Sequence, residues 1–153
     1  MNKAGKSCDK NISPRYAGAF QLSQRVDYAL ALLTALVKNS EQDEESSIQR
    51  IANDQSLSFA FLQKVAGSLR QAGYIIASRG RNGGYRLVRA PESISLKELI
   101  ELFDGPVGFM PCMRPNHDCP RASLCSVRSG WRGIHEELDR VLAEKTLKSF
   151  IAS

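Results

Sequence analysis

The chain has 153 residues, the length of one domain with an appended element. Its 42% apolar content is enough for one core, and its formal net charge of +5 favours an anionic partner, nucleic acid or an anionic membrane surface. The stretch 1–15 is polar and basic, which excludes a secretory signal, and no apolar run is long enough to span a bilayer. The expected setting is therefore the cytoplasm, without membrane association. There, the 4 cysteines point to metal ligation or redox sensing rather than structural disulfides.

Residues 1–19 carry Gly5, Pro14 and Gly18 among polar side chains and read as a flexible tail. Ser23 is placed as an N-cap, and Val26, Leu30, Leu33 and Val37 follow at helical spacing, predicting a first helix over about 23–38. An acidic connector, Asn39–Glu45, leads to a short helix at Ser47–Ala52. Ser56-Leu57-Ser58 forms a second capping site. Phe61, Leu62, Val65 and Leu69 then mark one face of a third helix that stops at Gly73. Two helices joined by a turn of a few residues make a helix-turn-helix. The period then changes. Tyr74–Ser78 and Tyr85–Val88 are strand-like around an Asn82-Gly83-Gly84 tip, whose residues tolerate the positive φ angles of a tight hairpin. This hairpin is a wing.

Ser95-Leu96-Lys97-Glu98 is a capping box opening a fourth helix, with Leu96, Leu99, Ile100 and Phe103 as its apolar stripe. From Asp104 to Leu124 regular patterning disappears, and Pro106, Pro111, Pro115 and Pro120 forbid a long helix. A last helix is predicted over about 127–150, with Trp131, Ile134, Leu138, Val141 and Leu142 along one side. The expected fold is mainly α with a small β-hairpin. Its parts are a tail (1–19), a winged helix-turn-helix domain (20–103), a cysteine loop (104–126) and a long C-terminal dimerisation helix (127–153).

Between Ser58 and Ala90 there is no acidic residue, while Lys64, Arg70, Arg79, Arg81, Arg86 and Arg89 are basic. One-signed charge on a helix followed by a hairpin suits a phosphate backbone. The first turn of the third helix offers Ser58, Phe59, Ala60, Gln63 and Lys64 to base edges in the major groove, and Gln can pair bidentately with adenine. Arg79 and Arg81 on the wing are placed for the adjacent minor groove. A solvated basic face and a protein-binding module are the competing readings.

Cys112 and Cys119 are separated by six residues and Cys119 and Cys125 by five, in a proline-rich loop. Structural zinc sites usually use tighter cysteine pairs, whereas iron–sulfur clusters bind soft thiolates at varied spacings. A zinc site, a thiol switch and plain reduced cysteines remain as alternatives. A cubane cluster needs a fourth ligand, and His117, Cys8 and Asp27 are the candidates.

The order of these parts resembles the winged-helix iron–sulfur regulators that include IscR, NsrR and RirA. The resemblance covers about residues 20–150. It is carried by the stretch Leu22–Leu30, by Leu57–Leu62, and by Leu69–Ile75. The wing Ser78–Tyr85, the helix Ile94–Ile100, the cysteine triplet and Trp131-Arg132 complete it. It implies a homodimer on a roughly palindromic double-stranded DNA operator, with the last helix crossing onto the partner. It implies an iron–sulfur cluster, 4Fe–4S or 2Fe–2S, on Cys112, Cys119 and Cys125. It also implies that Arg79 inserts in the minor groove and that Ser58, Ala60 and Gln63 read bases. IscR-like members place a histidine three residues after the third cysteine, where this chain has Arg128. Asp27 falls where NsrR-like members place an aspartate that ligates the partner's cluster, which favours Asp27 as fourth ligand. The implied function is a repressor responding to nitric oxide, redox state or iron. The alternative is a cluster-free thiol- or zinc-responsive regulator of the same fold. An enzyme is not expected, because no nucleophile–base pair, phosphate loop or dinucleotide fingerprint is present.

Overall fold

A computed structural model describes residues 21–42, 47–78, 84–113 and 119–152. As expected, the architecture is mainly helical with one antiparallel hairpin. Helix α1 (Gln24–Gln42) runs longer than its periodicity predicts, taking in the start of the acidic connector. Its buried face is Val26, Ala29, Leu32, Leu33 and Leu36, with Leu30 and Val37 flanking it half-buried. Ser23 precedes the helix, but its Oγ is buried without a hydrogen-bond partner among the described residues. The Ser23 N–H instead donates to the Asp104 carboxylate at 2.8 Å, so the end of a later helix fastens the start of α1.

Helix α2 (Ile48–Asp54) is capped by Ser47, and helix α3 (Phe59–Gln71) by Ser58. The turn between them is built by two backbone bonds, Leu57 N–H to Ala52 O at 2.8 Å and Ser56 N–H to Asn53 O at 3.2 Å. That nested pair is a Schellman motif, which demands a left-handed residue just past the cap. Here Ser56 fills that place, with φ +54°. The same motif closes α3: Tyr74 N–H reaches Leu69 O, Gly73 N–H reaches Arg70 O, and Gly73 takes φ +80°.

Strands β1 (Ile75–Ser78) and β2 (Gly84–Leu87) pair Ile75 with Leu87 and Ile76 with Arg86. Ile75 is buried against the helices while Ile76 and Arg86 face outward, the alternation expected of a one-sided hairpin. A short 3₁₀ turn (Pro91–Ser93) leads to α4 (Leu96–Asp104), whose Ser95–Glu98 capping box is formed in both directions.

The C-terminal region departs from the expectation of a single helix. Helix α5 (Arg128–Glu144) stops at Lys145, and Thr146 caps a separate short helix, α6 (Leu147–Ile151). Between them the chain runs extended beside residues 94–96. Leu96 N–H donates to Lys145 O and Leu147 N–H to Ile94 O, each at 2.8 Å. This turn drives Leu147 to full burial in the same core as Leu33, Leu62 and Ile94. Helix α5 itself buries no residue fully. Ile134 and Val141 are about half exposed on it, at 48% and 47%. No helix among the described residues is long and apolar enough to cross a membrane.

Candidate nucleic-acid interface and thiol segment

The first turn of α3 presents the predicted contact residues outward. Ser58, Phe59, Ala60, Gln63 and Lys64 are all exposed, whereas Leu62, Val65, Ala66 and Leu69 turn inward. Phe61 is half-buried and stacks edge-on against Tyr28, with ring centroids 4.7 Å apart, so it belongs to the core rather than to the surface. The Ser58 hydroxyl accepts the Phe61 N–H, and the Ser58 N–H donates to the Tyr28 phenol at 3.1 Å. The helix N-terminus adds the positive end of its dipole to this face, which favours a phosphate nearby.

Of the six basic residues from Ser58 to Ala90, Lys64, Arg70 and Arg86 are exposed, and Arg79 and Arg81 lie outside the described residues. Arg89 is engaged elsewhere. It pairs with Glu98 at 3.1 Å, donates to the Ser93 carbonyl, and lies 5.5 Å from the centre of the Tyr74 ring. Desolvation and the nearby Glu98 carboxylate together push the Tyr74 phenol above its ordinary value. Arg89 thus ties the base of the wing to α4 and is withdrawn from the basic surface. Sequence alone gives no signal for this pairing, because the charge of Arg89 reads the same whether or not it is paired.

Cys112, Cys119 and Cys125 are half-buried free thiols on the segment that joins α4 to α5. Cys112 sits in a 3₁₀ turn (Pro111–Met113), and Cys125 accepts the Arg128 N–H through its carbonyl just before α5. Phe109, from the same segment, lies against Trp131 of α5 with centroids 6.0 Å apart. Asp27 is exposed in the first turn of α1. Among the described residues, no three His, Cys, Asp or Glu side chains converge in a group that could hold a metal. Within one chain, then, the three thiols and Asp27 are not brought together. His117 and Cys8 lie outside the described residues. The thiols suit a soft metal centre in their chemistry, and the Asp27 carboxylate faces solvent.

Helix α5 is held to α4 by Lys97, which pairs with Asp139 at 2.7 Å and reaches Glu101 at 4.0 Å. The hydrogen bond to Asp139 raises the Lys97 ammonium above its ordinary value. On α5, Arg128 Nε and His135 Nδ1 are buried atoms with no hydrogen-bond partner among the described residues.

Over residues 22–153 the chain matches the family model described as Rrf2, iron-dependent transcriptional regulator. It is 36% identical over 135 residues to the HTH-type transcriptional regulator NsrR of Bacillus licheniformis, spanning 86% of this chain and 92% of that protein. Among solved structures it resembles CymR, the global cysteine regulator of B. subtilis, with a TM-score of 0.70 and 26% identity over 87% of this chain and 97% of the other. IscR of T. potens shares the fold, with a TM-score of 0.66 and 24% identity over 89% of each chain. A basic, outward-facing recognition helix beside a hairpin, on a chain matched along almost all its described length, belongs to the Rrf2 family of helix-turn-helix transcription regulators, DNA-binding proteins and not enzymes.

Proposed function

We propose that this regulator is a cytoplasmic homodimer, most simply a repressor, whose affinity for a palindromic operator is set by an iron–sulfur cluster. The observation that carries this reading is the placing of three free thiols, Cys112, Cys119 and Cys125, on the segment between α4 and α5. Those thiolates would hold the group, with Asp27 given from the first helix of the other protomer. A bound cluster would supply a centre that nitric oxide, oxygen or loss of iron can alter, and Asp27, a hard carboxylate, would be its least tightly held ligand. Ser58, Phe59, Ala60, Gln63 and Lys64 face the major groove, with Arg79 and Arg81 toward the minor groove.

The chain's own part in switching follows from its connections. Gathering three thiols shortens the segment that leads into α5, and α5 is clamped to α4 through Lys97 and Asp139. Rotating α5 in a dimer changes the distance between the two recognition helices. Half-site spacing is a geometric demand, so a small rotation alters affinity for a fixed operator. Two states with unequal DNA affinity are required.

A second reading, a cluster-free regulator that responds through its thiols or through zinc, is favoured by the likeness to a cysteine regulator. One measurement separates the two. The protein is purified without oxygen, and its visible spectrum, iron and sulfide are recorded for wild type and for Cys119→Ala. A brown protein whose bands vanish in the variant supports the cluster. A colourless wild type, free of iron and sulfide after reconstitution, leaves the thiol or zinc reading.

A further inference from the structure

A helix that begins with a serine or threonine cap can be closed in both directions: the cap oxygen accepts from the third residue, and that residue's side chain returns to the cap N–H. Two helices of this chain do so. Ser95 is answered by Glu98, and Thr146 by Ser149. Helix α3 cannot, because its third residue is Phe61, which has no acceptor. Its cap N–H is taken instead by a side chain thirty positions earlier in the sequence, the phenol of Tyr28 on α1.

We infer that Tyr28 is a positioning residue for DNA recognition: its phenol stands in for the missing half of the capping box and fixes where the first turn of α3 points. Three features make the contact suited to this role. The ring of Tyr28 is buried, at 7% exposure, so it is held by the core and cannot wander. Its edge-on contact with Phe61 orients the ring as well as the hydroxyl. The bond ends on Ser58, the first of the residues that face outward from α3, so an error in its direction passes to Phe59, Ala60 and Gln63 together. Non-specific attraction to phosphates depends on charge and tolerates such an error. Base reading depends on side-chain atoms arriving within hydrogen-bond distance, and does not.

The inference rests on the assignment of base reading to the start of α3. A duplex site is recovered by wild type from a randomised duplex library. Anisotropy titrations then compare wild type and Tyr28→Phe on that duplex and on a shuffled duplex of equal length, alongside thermal melts. Phenylalanine keeps the ring and its burial and removes only the acceptor. The expected result is a loss of about 3- to 10-fold in affinity for the selected duplex, with shuffled-duplex affinity unchanged. The melting temperature should fall by no more than about 5 °C. A parallel loss on both duplexes, or an unchanged preference for the selected one, overturns the role of Tyr28 and leaves base reading intact. A wild type that binds both duplexes alike overturns base reading itself, and the role of Tyr28 with it.

Discussion

Ser56 sits in the left-handed region in a turn whose hydrogen bonds any residue can make but glycine makes without a Cβ penalty. Ser56→Gly is therefore expected to raise stability by about 0.5–1 kcal/mol, read as a higher melting temperature. Arg89 offers a second test. Removing its half-exposed pair with Glu98 and its ring contact with Tyr74 should cost about 1 kcal/mol in a thermal melt. Because Glu98 already neutralises it, Arg89→Ala should leave the salt dependence of DNA binding nearly unchanged. Lys64→Ala, at an exposed charge on α3, should lower the salt slope by about one unit. Equal slopes for the two variants would contradict this division of the basic residues. At this scale the sequence was legible wherever both partners were local. The Ser95–Glu98 box could be read because three residues separate its halves. The Tyr28–Ser58 bond and the Arg89–Glu98 pair could not, since only the folded chain brings their ends together.

Among the elements, α3 and the hairpin follow their periodicity closely, because each has one face in the core and one outside. The C-terminal helix does not, and the reason is physical. Its apolar stripe ends at Leu142, but no proline or glycine follows to stop a helix, so pattern alone carries it through Lys145 and Thr146. The break is decided by the two backbone bonds that tie Lys145 and Leu147 to residues 94–96 and by the apolar site that Leu147 fills. Leu147→Ala should accordingly cost about 3 kcal/mol in denaturant melts. The clamp between α4 and α5 has its own signature. The Lys97 ammonium is stabilised in the folded chain, so its contribution is complete below the ordinary lysine value of 10.5 and is lost as pH rises through the higher folded value. The stability difference between wild type and Asp139→Asn should hold below pH 10.5 and shrink as pH rises above it. A difference that grows with pH would place the origin of the effect elsewhere.

For the whole molecule, α5 is an amphipathic helix whose Ile134 and Val141 stay about half exposed among the described residues. If a second copy covers them, Ile134→Asp combined with Val141→Asp should sediment as a monomer. It should bind the selected duplex about 100-fold more weakly, since two half-sites would no longer be engaged together. A double variant that remains a dimer would point to another interface. The placing of Leu147 has a consequence for synthesis as well. The winged helix-turn-helix occupies the first two-thirds of the chain, yet its core is closed by a side chain made after α5. A nascent chain that has released only α1 to α4 from the ribosome carries an open apolar socket where Leu147 will later sit.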